Sequence, residues 1–75
     1  MEGDLIMLFI RLKQLRKEKG LTQQEVADLL GIDRRSYSAY ETGVNSINAQ
    51  TLIRLSRIYS ASIDYMLGLT DRRKI

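Results

Sequence analysis

The chain of 75 residues has no proline and is divided by five glycines: Gly3, Gly20, Gly31, Gly43 and Gly68. Between the glycines, apolar residues recur at intervals of three and four, the spacing that forms one face of a helix. No long alternating run of β-branched residues indicates a strand. We therefore predict an all-α fold in a single domain over residues 1–75, since a chain of this length allows only one.

The first predicted helix covers residues 5–19 and ends at Gly20, which suits the left-handed position after a helix. Its core face is formed by four leucines at helical spacing: Leu5, Leu8, Leu12 and Leu15. The second helix begins with a capping box, in which Thr22 is the N-cap and Glu25 reaches back to it, and Gly31 closes this helix. Its inward residues are predicted to be Val26, Ala27 and Leu30.

Each of the last three predicted helices begins at an N-cap residue: Asp33, Asn48 and Ser62. The third helix ends near Thr42, the fourth covers about residues 49–59, and the fifth ends near Leu67. The fourth helix is expected to turn three residues inward: Leu52, Leu55 and either Tyr59 or Ile58. Residues 1–9 are interpreted as an apolar extension of the first helix, and residues 70–75 as a frayed basic tail.

The residue types that the chain lacks exclude several classes of protein. It has no Cys and no His, which excludes a disulfide framework and a zinc site of the usual kind, and removes the commonest general base. We expect no enzyme, no cofactor and no metal. The apolar run over residues 5–10 is far shorter than a membrane-spanning helix, which needs about 20 residues. The acidic residues before this run do not suit a secretory signal, which begins with basic residues. A cytoplasmic protein without a membrane partner is expected.

The joint between the second and third helices is the first indication of function. Residues 30–33 (LGID) supply a glycine for the turn, an apolar residue beneath it and a cap for the next helix, which is the pattern of a helix-turn-helix. An αα-hairpin without a DNA role uses the same residue types. The net charge of +3 permits an anionic partner without demanding one, and the basic stretch over residues 11–19 also suits a solvated helix face.

Three stretches of the chain together resemble the phage lambda repressor/Cro (Xre-type) family of helix-turn-helix domains. They are residues 11–27 (RLKQLRKEKGLTQQEVA), 40–43 (YETG) and 62–68 (SIDYMLG), and the resemblance covers about residues 10–70. It implies a five-helix domain whose third helix enters the major groove of double-stranded DNA. The function implied is that of a bacterial or phage repressor that binds a palindromic operator as a homodimer.

The resemblance also implies which residues read base edges. The candidates are Arg34, Arg35, Ser36, Ser38 and Ala39 in the third helix and Asn45 in the loop after it. Arginine is the best bidentate partner of guanine O6 and N7. Two arginines at a helix N-terminus oppose the helix dipole, so Arg34 and Arg35 favour a DNA role over plain surface charge. Ala39 is small enough to lie against a thymine methyl group.

Family members hold a DNA phosphate at the first turn of the second helix. The phosphate candidates in this chain are Thr22, Gln23, Thr42 and Asn48. The N–H groups and dipole of a helix N-terminus favour an anion beside Gln23, although a glutamine also suits a solvated first turn. Asn48 suits a simple N-cap as well as a phosphate contact. The loop over residues 43–48 holds no positive charge, so modest affinity and a shallow salt dependence are expected.

Two further expectations concern packing. In similar repressors an arginine at the position of Arg16 pairs with an acidic residue at that of Glu41, which would tie the first helix to the third. Tyr37 and Tyr40 are expected in the core with polar tips.

The apolar N-terminal run departs from the family pattern, because a small core cannot bury all of it. The interface candidates are Ile6, Phe9 and Ile10. We interpret them as the surface of a dimer or the site of another protein, with packing against the fifth helix as the alternative. The alternative function is a protein-interaction module or antitoxin-like subunit that uses this helix.

Overall fold

The computed structural model describes residues 2–74, and the side chains from Leu5 onward; Met1 and Ile75 of the predicted domain lie outside the described residues. Five helices occur in this range: α1 (Glu2–Glu18), α2 (Gln23–Leu30), α3 (Arg34–Thr42), α4 (Ala49–Tyr59) and α5 (Ile63–Met66). Residues 2–74 contain no strand, so the predicted all-α class is confirmed. Over the same residues, no helix has the length and apolar character that a membrane crossing requires.

The helix starts follow from the caps that the sequence predicts. Thr22 Oγ1 accepts a hydrogen bond from the Glu25 N–H at 3.0 Å, and Glu25 Oε1 accepts one from the Thr22 N–H at 2.9 Å. Asp33, Asn48 and Ser62 each accept from the backbone N–H three residues ahead. These bonds satisfy donors that the first turn of a helix leaves without partners. The four predicted N-caps are therefore confirmed.

The core lies between the helices, around side chains contributed by all five. The largest fully buried side chains are Tyr37, Tyr59, Leu12, Leu55, Met66 and Val26. Tyr37 and Tyr59 join their hydroxyl groups at 2.5 Å, which satisfies both polar tips inside the core. Tyr40 is partly buried and meets the Tyr37 ring edge to face, with 6.2 Å between ring centres. Both tyrosines of α3 therefore take the core role expected of them.

The predicted core face of α1 is wrong at its first residue. Leu8, Leu12 and Leu15 are buried, but Leu5 is 50% exposed. Leu5 lies one turn before Leu8, so the covered part of this face begins after Leu5. Helical spacing places Leu5 on the correct face, but it does not show where that face stops being covered.

The described part of the C-terminal basic tail is held against the body, so the frayed tail expected from the sequence is wrong. The Ser62 N–H donates to the Arg73 carbonyl at 2.7 Å, and the Arg73 guanidinium pairs with the Glu18 carboxylate. Arg11 of α1 donates to the Thr70 carbonyl at 3.0 Å and pairs with the Asp71 carboxylate at 3.3 Å. Arg73 and Arg11, which the sequence placed in a frayed tail and on a solvated helix face, therefore hold the tail in place.

A side chain of α4 makes hydrogen bonds to the end of α2, at the turn between α2 and α3. Arg54 donates to the backbone carbonyls of Leu29 at 2.8 Å and Leu30 at 3.0 Å. These are carbonyl groups that the end of α2 leaves without partners inside the helix. Ile32, within the turn, is partly buried against the core. The Arg54 hydrogen bonds and the packing of Ile32 therefore both restrict the position of the turn that precedes α3.

Candidate nucleic-acid interface

The outer surface of α3 carries the residues that were predicted to read base edges. Arg34 and Arg35 are exposed, as is Asn45 in the loop that follows α3. Ser36, Ser38 and Ala39 are only partly exposed. Because Tyr37 is fully buried, the opposite face of α3, which includes Arg35 and Ala39, turns away from the core, whereas Arg34 is exposed at the first residue of the helix. The two arginines are therefore the most accessible long side chains of α3.

The start of α3 carries charges of both signs. Asp33 accepts a hydrogen bond from the Ser36 N–H at 2.7 Å. The backbone and side chain of Ser36, and to a smaller extent Arg35, hold the pKa of the Asp33 carboxyl below its usual range. Asp33 is thus ionised at neutral pH, and it offsets part of the unfavourable interaction between the arginines and the helix dipole.

A largely buried ion pair joins α1 to the end of α3. Arg16 Nε donates to Glu41 Oε2 at 2.7 Å and Arg16 Nη2 to Glu41 Oε1 at 3.2 Å, with the two side chains 12% and 3% exposed. Burial raises the pKa of the Glu41 carboxyl, but hydrogen bonds from Arg16, Tyr37 and Gln23 outweigh this and hold the pKa below its usual range. The structure brings together the two residues that the resemblance paired, and both are charged at neutral pH.

Gln23 joins the same group. It is the first residue of α2, and its Nε2 donates to Glu41 Oε1 at 3.1 Å. Sequence reasoning assigned Gln23 and Glu41 to separate roles and missed this contact. The two residues are 18 positions apart, and no local pattern connects them. A primary amide has two N–H donors, so one remains for an acceptor outside the protein.

The remaining phosphate candidates differ in how much of their hydrogen-bonding capacity is already used. Asn48 Oδ1 accepts from the Thr51 N–H at 2.8 Å, which is the N-cap role, and leaves the amide N–H groups for another acceptor. Thr22 is exposed, and its Oγ1 accepts within the capping box. Thr42 is exposed and donates at 3.3 Å to carbonyls of its own helix. Asn48 and Thr22 therefore each keep a donor for a phosphate, whereas the Thr42 hydroxyl donates to carbonyls of its own helix.

The apolar N-terminal candidates line one groove. Ile6 and Ile10 are 54% and 47% exposed, whereas Phe9 is partly buried and its ring lies against Gly43. The groove has a volume of about 320 Å³ and is lined by Ile6, Phe9, Ile10, Lys13, Gln14, Lys17 and Glu41. Phe9 thus makes a contact within the chain, which makes Ile6 and Ile10 the better interface candidates. Lys17, interpreted from the sequence as part of a solvated face, is exposed and lines this groove.

Comparison with known proteins connects this geometry to a family. A family described as helix-turn-helix matches residues 12–66, from the middle of α1 to the end of α5. The chain is 47% identical over 64 residues to the uncharacterized HTH-type transcriptional regulator YqaE of Bacillus subtilis (strain 168), over 85% of this chain and 55% of that protein.

Two further relatives have the same kind of name. The HTH-type transcriptional regulator ImmR of Bacillus subtilis (strain 168) is 41% identical over 85% of this chain and 50% of its own length. The cryptic phage CTXphi transcriptional repressor RstR of Vibrio cholerae is 35% identical over 76% of this chain and 51% of its own length. The chain therefore spans about half the length of these curated relatives.

Proposed function

Because the chain belongs to the lambda repressor-like (Xre-type) helix-turn-helix family, we propose that it binds a specific double-stranded DNA site and represses transcription in the cytoplasm. The observation that carries this proposal is the exposure of Arg34 and Arg35 at the start of α3, directly after the turn that Arg54 fastens. The names of the relatives, which are transcriptional regulators and a repressor, support it.

In the proposed complex, α3 lies in the major groove and phosphate contacts set its register. Arg34 and Arg35 read guanine edges, with Ser36, Ser38, Ala39 and Asn45 as the other candidates for base contact. Gln23 at the start of α2 and Asn48 at the start of α4 hold phosphates, with Thr22 and Thr42 as further candidates. Because residues 43–48 include no lysine or arginine, the log of the affinity should fall only shallowly with the log of the salt concentration.

Arg34→Ala and Arg35→Ala are each expected to weaken binding to the preferred site by about 5- to 150-fold, since a bidentate arginine–guanine pair contributes about 1–3 kcal/mol. Binding to unrelated duplexes should weaken much less. The preferred site is first selected from a random duplex library and sequenced, and each variant is then titrated against it and against a scrambled duplex.

Arg72→Ala is the matched control, because it removes the same charge from an exposed residue of the C-terminal tail. An equal loss on every duplex for the α3 variants would reduce Arg34 and Arg35 to phosphate contacts. A folded wild-type protein that selects no site would refute the proposed function. It would favour a protein-interaction module, which the apolar groove of α1 would suit.

We further propose that two copies bind one palindromic site through the exposed apolar residues of α1. One domain presents one α3, which reads a half-site, and its uncharged loop makes the affinity of a single copy modest. Joining two copies makes the second binding event effectively intramolecular. A second copy is therefore the partner that the proposed DNA binding favours for Ile6 and Ile10.

Ile10→Asp is expected to shift the protein from dimer to monomer, because a carboxylate would have to be desolvated within an apolar contact. Sedimentation velocity over a range of concentrations measures the shift. The control is Ile53→Asp, which places the same charge at an apolar residue of α4 that is 44% exposed. A dimer that persists in Ile10→Asp would place the interface elsewhere. A monomeric wild type would contradict the proposed dimer and leave the exposed residues of α1 for another protein.

A further inference from the structure

We propose that Glu41 is a positioning residue for DNA binding, because it holds the Gln23 side-chain amide in the orientation in which Gln23 meets a DNA phosphate. The inference rests on the proposed function and assigns Glu41 a role beyond the ion pair with Arg16. It begins from a contact that links the end of α3 to the first residue of α2.

Glu41 is itself held in a single orientation. Its side chain is 3% exposed, and both of its oxygens accept hydrogen bonds from Arg16, at 2.7 and 3.2 Å. This two-point contact fixes the plane of the carboxylate. Arg16 is anchored in turn by the Leu21 carbonyl, to which its Nη1 donates at 3.0 Å, just before α2 begins. The acceptor presented to Gln23 is therefore tied to the same part of the backbone that carries Gln23.

The consequence for Gln23 follows from the planarity of an amide. One N–H of Nε2 is directed at Glu41 Oε1, at 3.1 Å between the heavy atoms, and this fixes the directions of the second N–H and of the amide oxygen. Without that acceptor, the amide would rotate in a broad torsional minimum. A donor that is oriented before DNA arrives loses less conformational entropy on binding, which increases affinity without a new contact.

The charge of the group supports the same role. A carboxylate close to a phosphate would repel it, but Arg16 neutralises Glu41 through a bidentate pair. The pair therefore allows a strong acceptor to stand behind Gln23 without presenting net negative charge to DNA.

Glu41→Gln separates positioning from simple loss of the residue. Glutamine has the shape of glutamate, but one acceptor oxygen is replaced by an N–H₂ donor. If the amide oxygen accepts from Arg16, the amide nitrogen faces Gln23 Nε2, donor against donor. The variant is measured at a temperature where circular dichroism shows it folded, so that altered affinity does not reflect unfolding.

The test is a double-mutant cycle on the selected DNA site, with dissociation constants measured for wild type, Gln23→Ala, Glu41→Gln and the double variant. Gln23→Ala is expected to weaken binding about tenfold, the lower end for a hydrogen bond to a charged group. Glu41→Gln should weaken it about three- to tenfold in the wild-type background and less than about twofold beside Gln23→Ala. Additive losses would overturn the proposal, since Glu41 would then act independently of Gln23.

Glu18→Gln is the matched control, because it neutralises the carboxylate of an exposed ion pair with Arg73 and should leave DNA affinity unchanged. NMR of the free protein adds a measurement that does not need DNA. The two Gln23 amide protons should differ in exchange rate, with one protected, and Glu41→Gln should abolish the difference. Equal, unprotected protons in the wild type would overturn the proposal even if DNA binds, whereas failure of the wild type to bind any duplex would refute the proposed function.

Discussion

Glu41→Ala is expected to lower the free energy of unfolding by about 3–5 kcal/mol, the cost of breaking a buried ion pair from one side. The substitution leaves the Arg16 guanidinium, which is 12% exposed, without its carboxylate and with only the Leu21 carbonyl as an acceptor. For a domain of this size, 1 kcal/mol corresponds to about 4–8 °C in Tm, so the Tm should fall by more than about 12 °C. Urea unfolding and thermal unfolding both measure the change.

The comparison for this prediction is Glu18→Ala, which removes the carboxylate of an ion pair whose two side chains are each 48% exposed. Water solvates both charges in that pair, so its loss should be small beside that of Glu41. Similar losses of stability from the two variants would mean that burial does not determine the strength of the Arg16–Glu41 pair.

The pH dependence of stability provides a second check on Glu41. Its pKa in the folded protein lies below the ordinary value of 4.5, so in acid the unfolded state binds more protons than the folded state. The stabilisation is complete at neutral pH and is lost as the pH falls below about 5 toward the folded pKa. Glu41→Gln should therefore lose less stability between pH 6 and pH 3 than the wild type does. An unchanged slope would mean that Glu41 does not titrate differently on folding.

Gly43→Ala is expected to lower the free energy of unfolding by about 2–4 kcal/mol, for two separate reasons. Gly43 ends α3 with a φ of +79°, a left-handed conformation that strains a residue with a side chain. In addition, a Cβ at this position would lie 2.5 Å from Phe9 Cε2, so the ring would have to move. Denaturant unfolding with an unchanged m value measures the loss.

Two variants separate these reasons. Gly31→Ala has nearly the same strain, at a φ of +73°, but nothing lies within 4 Å of its added Cβ, so it should cost only the backbone share. Phe9→Leu in the Gly43→Ala background should restore part of the stability, because the rigid ring is removed. If Gly43→Ala lowers the free energy of unfolding no more than Gly31→Ala does, the close approach of Phe9 to position 43 does not add to the loss of stability.

The candidate site was predictable from the sequence to the extent that it depends on local order. The capping residue Asp33 fixes where α3 begins, and hence places Arg34 and Arg35 in its first turn. Ser38 and Ala39 are only partly exposed. The sequence could not predict this, because the exposure of a helix residue depends on how closely the neighbouring helices approach. Whether a residue on α3 contacts DNA is a separate question, which the variants of Arg34 and Arg35 address.

Contacts between distant residues were largely beyond sequence reasoning. Arg54 lies 24 and 25 positions from the carbonyls that it binds, and Arg11 lies 54 positions from that of Tyr65. An arginine on a helix surface has the same sequence pattern whether water or a distant carbonyl accepts its hydrogen bonds. The Arg16–Glu41 pair was expected only because similar repressors have it, and the role of Gln23 within that group was missed.

The sequence by itself determined the five helices and the N-caps of the last four, because an N-cap bonds to a backbone group three residues away. Only the tertiary structure decided that Leu5 stays half exposed, that the C-terminal tail is fastened, and that Glu41 meets Gln23. Each of these depends on which surfaces face each other after the helices have packed. Burial and long-range hydrogen bonds are properties of that packing, and local residue patterns do not encode them.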